Sequence, residues 1–112
     1  MTFTELDTLI TGSGRRSIAS ALIAFLLDSL DHGSDGVDLD EFEKQTGFIR
    51  TNITRVAGYL QASNLICILY YRESESTGKR TFVETNTYGR WAKQHYRLTP
   101  VLKTLYRRNK LT

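Results

Sequence analysis

Arg50, Thr51, Asn52, Thr54, Arg55 and Tyr59 bring two guanidinium groups, a carboxamide, two hydroxyls and a phenol into a short stretch of chain. These are side chains that recognise rather than break bonds. An arginine fits the O6 and N7 acceptors of guanine in bidentate fashion, and an asparagine fits the edge of adenine. Either can also hold phosphate oxygens, and Tyr59 suits a backbone contact. Further along, Arg72, Lys79 and Arg80 flank the polar run Glu73–Arg80 (ESESTGKR), where cations can reach phosphates or an adjacent minor groove. Glu73 and Glu75 stand in the same run, so a solvated mixed-charge turn is the competing reading.

Chemistry of other kinds lacks its parts. There is no P-loop, no GxGxxG, no HExxH and no GxSxG. His32 and His95 have no metal-ligand partner at recognised spacing, so no metal, no cofactor and no catalytic residue is expected, and the chain does not read as an enzyme. The acidic stretch from Asp31 to Phe42 imitates a calcium loop, but its register fails. With Glu41 at position 12, the glycine position falls on Asp35; with Asp31 at position 1, position 12 is Phe42. The single cysteine, Cys67, lies in an apolar run and reads as a small buried residue, with no base beside it to activate the thiol.

The elements that position the recognition residues follow from periodicity. Ile53, Val56, Ala57 and Leu60 recur at i, i+3, i+4 and i+7, so residues 48–66 read as a helix with that face buried. The opposite face then carries Thr51, Arg55, Gly58 and Ala62, flanked by Asn52, Thr54 and Tyr59. A mid-helix glycine costs roughly 1 kcal/mol against alanine. Gly58 therefore suits either close approach of a partner or a mild bend. Residues 37–45 read as a short helix with Leu39 and Phe42 inward, closed at Gly47, which can take the positive φ that ends a helix. Helix, glycine turn and second helix make a helix-turn-helix.

Arg15 to His32 is a helix with two apolar stripes, one through Ile18, Leu22, Phe25 and Leu26 and one through Ile23, Leu27 and Leu30. A helix so apolar must be covered on nearly all sides. The second stripe therefore calls for the N-terminal segment, the C-terminal helix or a second copy of the chain. Residues 1–14 are either a short helix opened by Thr4 or a frayed arm, with a break at Thr11–Gly14. Leu65–Arg72, Thr81–Asn86 and Trp91–Leu98 read as strands; the first two make the wing around residues 73–80, and the distance to the third implies an extra hairpin or an enlarged wing. Thr99 caps a final helix with Pro100 at its first position; Val101, Leu102, Leu105 and Tyr106 line its apolar face, and Lys103, Arg107, Arg108 and Lys110 its basic one.

The 112 residues suffice for one domain at 15–112 behind the 1–14 arm. Residues 1–48 hold three Lys/Arg against nine Asp/Glu, and residues 49–112 hold twelve against three, so a net −6 becomes a net +9 at the turn between the two short helices. That asymmetry points the second half at an anionic partner. One cysteine, no leader-like N-terminus and no apolar run of spanning length suggest a reducing, cytoplasmic setting without a membrane partner.

The acidic short helix, the Thr46-Gly47-Phe48 turn, the following helix with its Asn64-Leu65-Ile66 exit and the Tyr96-Arg97-Leu98-Thr99 close together resemble the winged helix-turn-helix DNA-binding superfamily, in its MarR-like form. The resemblance covers about residues 15–106 at superfamily level. It implies an α+β fold with a three-helix core, a β-hairpin or three-stranded wing and a C-terminal helix. It also implies sequence-specific binding of double-stranded DNA by a transcriptional regulator with residues 50–62 in the major groove. Such a protein acts as a homodimer, here through Ile23, Leu27 and Leu30 and/or the C-terminal helix. The alternative is a winged-helix module that docks a protein in a replication, transcription or secretion-control complex. A third option is single-stranded nucleic acid on Tyr70, Tyr71 and Phe82.

Overall fold

A computed structural model describes residues 1–110, without the side chains of Trp91, Asn109 and Lys110. The predicted role of Lys110 as a basic side chain thus lies outside the described residues. The fold is α+β: α1 (Phe3–Gly12), α2 (Arg16–Asp31), β1 (Val37–Asp38), α3 (Leu39–Thr46), α4 (Arg50–Ala62), β2 (Ile66–Glu73), β3 (Arg80–Val83), a 3-10 turn (Gly89–Trp91), β4 (Lys93–Leu98) and α5 (Pro100–Lys110). The four strands form one antiparallel sheet in the order β1-β4-β2-β3.

The N-terminal segment is a helix, and it starts two residues earlier than expected. Thr2, not Thr4, is the cap: its hydroxyl accepts from the Glu5 amide at 3.1 Å, and the Glu5 carboxylate accepts from the Thr2 amide at 3.4 Å. The expected break at Thr11 and Gly12 is helical too. α1 packs on α2 and places Leu6 and Ile10 in the common core. Ile23 of the second apolar stripe is therefore already buried within one subunit, while Leu27 and Leu30 stay half-buried. At Ile23, then, no second copy is needed.

α2 is the central helix, with Ala19 and Leu22 fully enclosed. It closes at Gly33 (φ +76°), where the Ser34 amide returns to the Ser29 carbonyl at 2.9 Å and the Gly33 amide to Leu30 at 3.2 Å. α4 closes in the same way on Asn64 (φ +60°), with Leu65 N–H bonded to the Leu60 carbonyl at 2.9 Å. Leu39 and Phe42 of α3 point inward as expected, and Phe42 meets Phe25 edge-to-face at 5.1 Å.

Four local expectations need correction. Val37 and Asp38 are not helical; they pair as β1 with Tyr96 and His95, and α3 begins only at Leu39. Cys67 is exposed, because strand alternation turns it to the sheet face opposite Ile66 and Ile68. The extra length before the last strand arises because β4 does not extend the β2–β3 hairpin: the chain returns through residues 84–92 to pair along the other edge of β2. Thr99 lends α5 its carbonyl, which accepts from Lys103 at 3.0 Å, but its buried hydroxyl donates at 2.8 Å to the Asn64 carbonyl, tying α5 to the end of α4. Leu102 and Leu105 carry the buried side of α5, Val101 is exposed, and Tyr106 donates to Asp31 at 2.6 Å.

Gly36 governs the approach of β1 to β4. A Cβ there would sit 2.7 Å from His95 Nε2 and inside contact distance of the Tyr96 carbonyl oxygen, a backbone atom held in the β1–β4 ladder. Gly36→Ala is expected to cost about 1–3 kcal/mol, the usual penalty for overpacking, and to lower the thermal midpoint by several degrees. Calorimetry of the two proteins checks it; an unchanged midpoint would contradict this account of the junction.

Candidate nucleic-acid interface

α4 is set in place from both ends. At its start the chain turns on Gly47 (φ +74°), and the Thr46 hydroxyl accepts from the Phe48 amide at 3.3 Å while donating to the Phe42 carbonyl at 2.7 Å. Its apolar stripe is fully buried: Ile53, Ala57 and Leu60 have no exposed surface and Val56 almost none. Burying such a side chain is worth roughly 1.5–3 kcal/mol. The stripe therefore outweighs the roughly 1 kcal/mol that Gly58 costs, and the outer face is free of structural duty.

That outer face is open. Thr51, Arg55, Gly58 and Ala62 are exposed, with Asn52, Thr54 and Tyr59 half-buried at its flanks. Arg55 makes no hydrogen bond or ion pair among the described residues. Nothing lies within 4 Å of where a Gly58 Cβ would stand, so no neighbour inside the subunit explains the glycine. The Thr54 hydroxyl donates to the Thr51 carbonyl at 3.1 Å.

Other expected contact residues are placed differently. Arg50 is turned back onto α3, paired with Asp40 and, at 3.4 Å, with Glu43. Exposed pairs of this kind are worth under about 1 kcal/mol, so a phosphate can compete for the guanidinium. Tyr59 leans on α1: its hydroxyl stands 2.6 Å from where a Gly12 Cβ would be. Arg72 and Lys79 are exposed and make no ion pair among the described residues. They sit at the far end of β2 and in the turn beyond it, on the order of 20 Å from the close of α4. Arg80, grouped with them by sequence, is drawn off the turn.

Arg80 joins a cluster that sequence reasoning missed. Its guanidinium lies 4.8 Å over the Tyr71 ring and donates to Asp38 Oδ2 at 3.1 Å. Asp38 Oδ1 meets His95 Nδ1 at 2.7 Å, and the Tyr71 phenol stands beside this carboxylate. Phe82 packs on both rings, 5.2 Å from Tyr71 and 4.9 Å from His95. Burial alone would raise the Asp38 pKa, but the hydrogen bonds from His95 and Tyr71 and the charge of Arg80 together hold it below its ordinary value. Burial and the same carboxylate push the Tyr71 phenol up to about 12. Asp38 and His95 are far apart in sequence, and no local pattern announces the pair. Tyr71 is only 3 % exposed and Tyr70 packs against the core, so neither offers the stacking platform considered for single-stranded nucleic acid.

A cavity of about 490 Å³ opens beside this cluster, between α2, β1 and α3. Asp28, Asp38 and Glu41 line it, over a floor that includes Phe25 and Val37. His95 and Gly36 also line it; His95 Nε2 is buried without a hydrogen-bond partner among the described residues, 2.7 Å from where a Gly36 Cβ would stand. Among the described residues no group of three or more His, Cys, Asp or Glu is placed to share a metal ion, and no helix is long and apolar enough to cross a membrane.

No family model, curated protein or solved structure matches the chain.

Gly58→Ala is expected to stabilise the fold by about 0.5–1 kcal/mol, since the added methyl meets nothing and the helix gains propensity; urea unfolding measures it, and a destabilised variant would mean the face is not open. Asp38 yields a pH dependence. Its depressed folded-state pKa means that its contribution is fully present above about pH 4 and is lost as pH falls through the folded value. The stability difference between wild type and Asp38→Asn should therefore hold down to about pH 4 and shrink as pH falls from about 4 to about 2. A difference that stays constant over that range would contradict the assignment.

Proposed function

We propose that this chain is a winged helix-turn-helix protein that binds double-stranded DNA sequence-specifically and acts as a transcriptional regulator, with α4 in the major groove. One observation carries the reading: the face of α4 bearing Thr51, Arg55 and Gly58 is exposed, packs against nothing among the described residues and is backed by a fully buried stripe. The β2–β3 hairpin supports it as the wing, with α2, α3 and α4 as the three-helix core.

On this reading Gly58 lets the helix approach the groove wall. Arg55 reaches a guanine edge or a phosphate, and Thr51 and Asn52 lie one turn earlier at the helix start. Arg72 and Lys79 supply phosphate contacts and salt dependence. A homodimer places two α4 helices on successive half-sites, joined through Leu27 and Leu30 and/or α5. A second reading, a protein-docking module, draws on a different observation. Arg50 is neutralised by Asp40 and Glu43, and the neighbouring Ile49 is 65 % exposed, so the start of α4 is less cationic and more apolar than its sequence suggests.

The test is a duplex recovered by selection from a random pool, followed by anisotropy titrations. Arg55→Ala should weaken binding by about 5- to 150-fold, the equivalent of about 1–3 kcal/mol for a base contact, with the thermal midpoint unchanged. Gly58→Ala should weaken binding although it stabilises the fold. Equal affinity for Arg55→Ala and wild type would remove α4 from the interface. Passage through heparin at moderate salt without retention would favour the docking module instead.

A further inference from the structure

Asp38 and Arg80 lie on the two opposite edges of the sheet. The order β1-β4-β2-β3 puts two strands between them, and three strand spacings amount to roughly 14 Å in a flat sheet. Yet Arg80 reaches Asp38 Oδ2 at 3.1 Å by lying across the Tyr71 ring, while Oδ1 holds His95 of β4. One carboxylate thus holds side chains from β3 and β4, with the Tyr71 ring of β2 beneath the Arg80 guanidinium.

β2 is held by its ladder to β4 as far as Tyr71, but the part of the hairpin beyond that pairing has few other holds. β3 is four residues long, pairs only with β2, and carries exposed or half-buried side chains. A two-stranded hairpin is marginal by itself in water. Away from its ladder, β3 is held to the body by Phe82, which packs on Tyr71 and His95 and lies 4.8 Å from the Arg97 guanidinium, and by Arg80 on Asp38. The other ion pair of Arg80, to Glu73 at 3.8 Å, stays within the hairpin and anchors nothing.

We propose that Asp38 is a positioning residue for the nucleic-acid interface: it ties the β2–β3 hairpin to the body and so sets where Arg72 and Lys79 stand relative to α4. This rests on the DNA-binding reading, but its physical core, the tie, can be measured without DNA. Charge sign separates it from simple electrostatics. Asp38→Asn raises the formal net charge of +3 by one, so long-range attraction alone predicts tighter binding to DNA. A positioning role predicts the reverse.

The experiment compares wild type, Asp38→Asn, Arg72→Ala/Lys79→Ala and the combined triple variant, using the selected duplex over a range of salt. Asp38→Asn is expected to bind about 3- to 10-fold more weakly, with a salt slope smaller by about one to two. The triple variant should bind no more weakly than the double, since the tie acts through those two cations. Amide exchange should quicken across residues 73–83 in Asp38→Asn while α2 and α4 keep their protection. Arg80→Gln should reproduce that exchange pattern from the other end of the tie, which keeps the test valid if Asp38→Asn does not fold. Unchanged exchange in the hairpin, tighter DNA binding by Asp38→Asn, or a fully additive triple variant overturns the proposal. If the wild type binds no duplex, the DNA reading fails and the exchange data alone decide whether the tie exists.

Discussion

The short pairing of Val37 and Asp38 with Tyr96 and His95 is the constraint from which the rest of the molecule follows. It seats β4 in the middle of the sheet, and β3 lies on the outer side of β2. It delays the start of α3 to Leu39, eight residues before the Gly47 turn that leads into α4. Asp38 occupies the cap position of α3 yet makes no capping bond, because its carboxylate is engaged across the sheet. A cap is worth about 1 kcal/mol. The chain forgoes it for a half-buried network in which a carboxylate, an imidazole, a phenol and a guanidinium meet.

α4 shows how a packed side releases an exposed one. Four apolar side chains with almost no remaining exposure hold the helix against α2 and β2. Their burial is large against the small penalties on the opposite face: a mid-helix glycine, a threonine hydroxyl bonded back to its own helix, and an arginine with no partner among the described residues. That division of labour lets polar and charged side chains occupy the outer face of a helix without unfolding it.

The charge asymmetry acquires a more local meaning in three dimensions. The acids of the first half do not simply form an acidic end. Asp7 takes Arg16, Asp38 takes Arg80, and Asp40 and Glu43 take Arg50. Each such pair contributes little stability at the surface, but it selects which cations remain free. Arg55, Arg72 and Lys79 are among those left, on α4 and along the hairpin. The electrostatic footprint toward an anionic partner is therefore smaller than the +9 of residues 49–112 suggests, and better defined.

What the sequence determined by itself was local. The stripe Ile53/Val56/Ala57/Leu60, the inward Leu39 and Phe42, and the stop at Gly47 follow from helical periodicity and backbone sterics, which act within a few residues. For the same reason the outward placement of Thr51, Arg55 and Gly58 was legible. What only the tertiary structure decided was which faces are covered and which distant groups meet. Alternation along β2 and β4 assigns residues to two faces, but it does not say that Cys67 looks outward or that His95 is roofed by Phe82. Nor does any spacing reveal that Asp38 leaves its helix to join β4, that Arg80 abandons the turn for the opposite sheet edge, or that Arg50 folds back onto α3. Those outcomes depend on strand order and register, and pairing between residues far apart along the chain leaves no trace in the pattern of either partner.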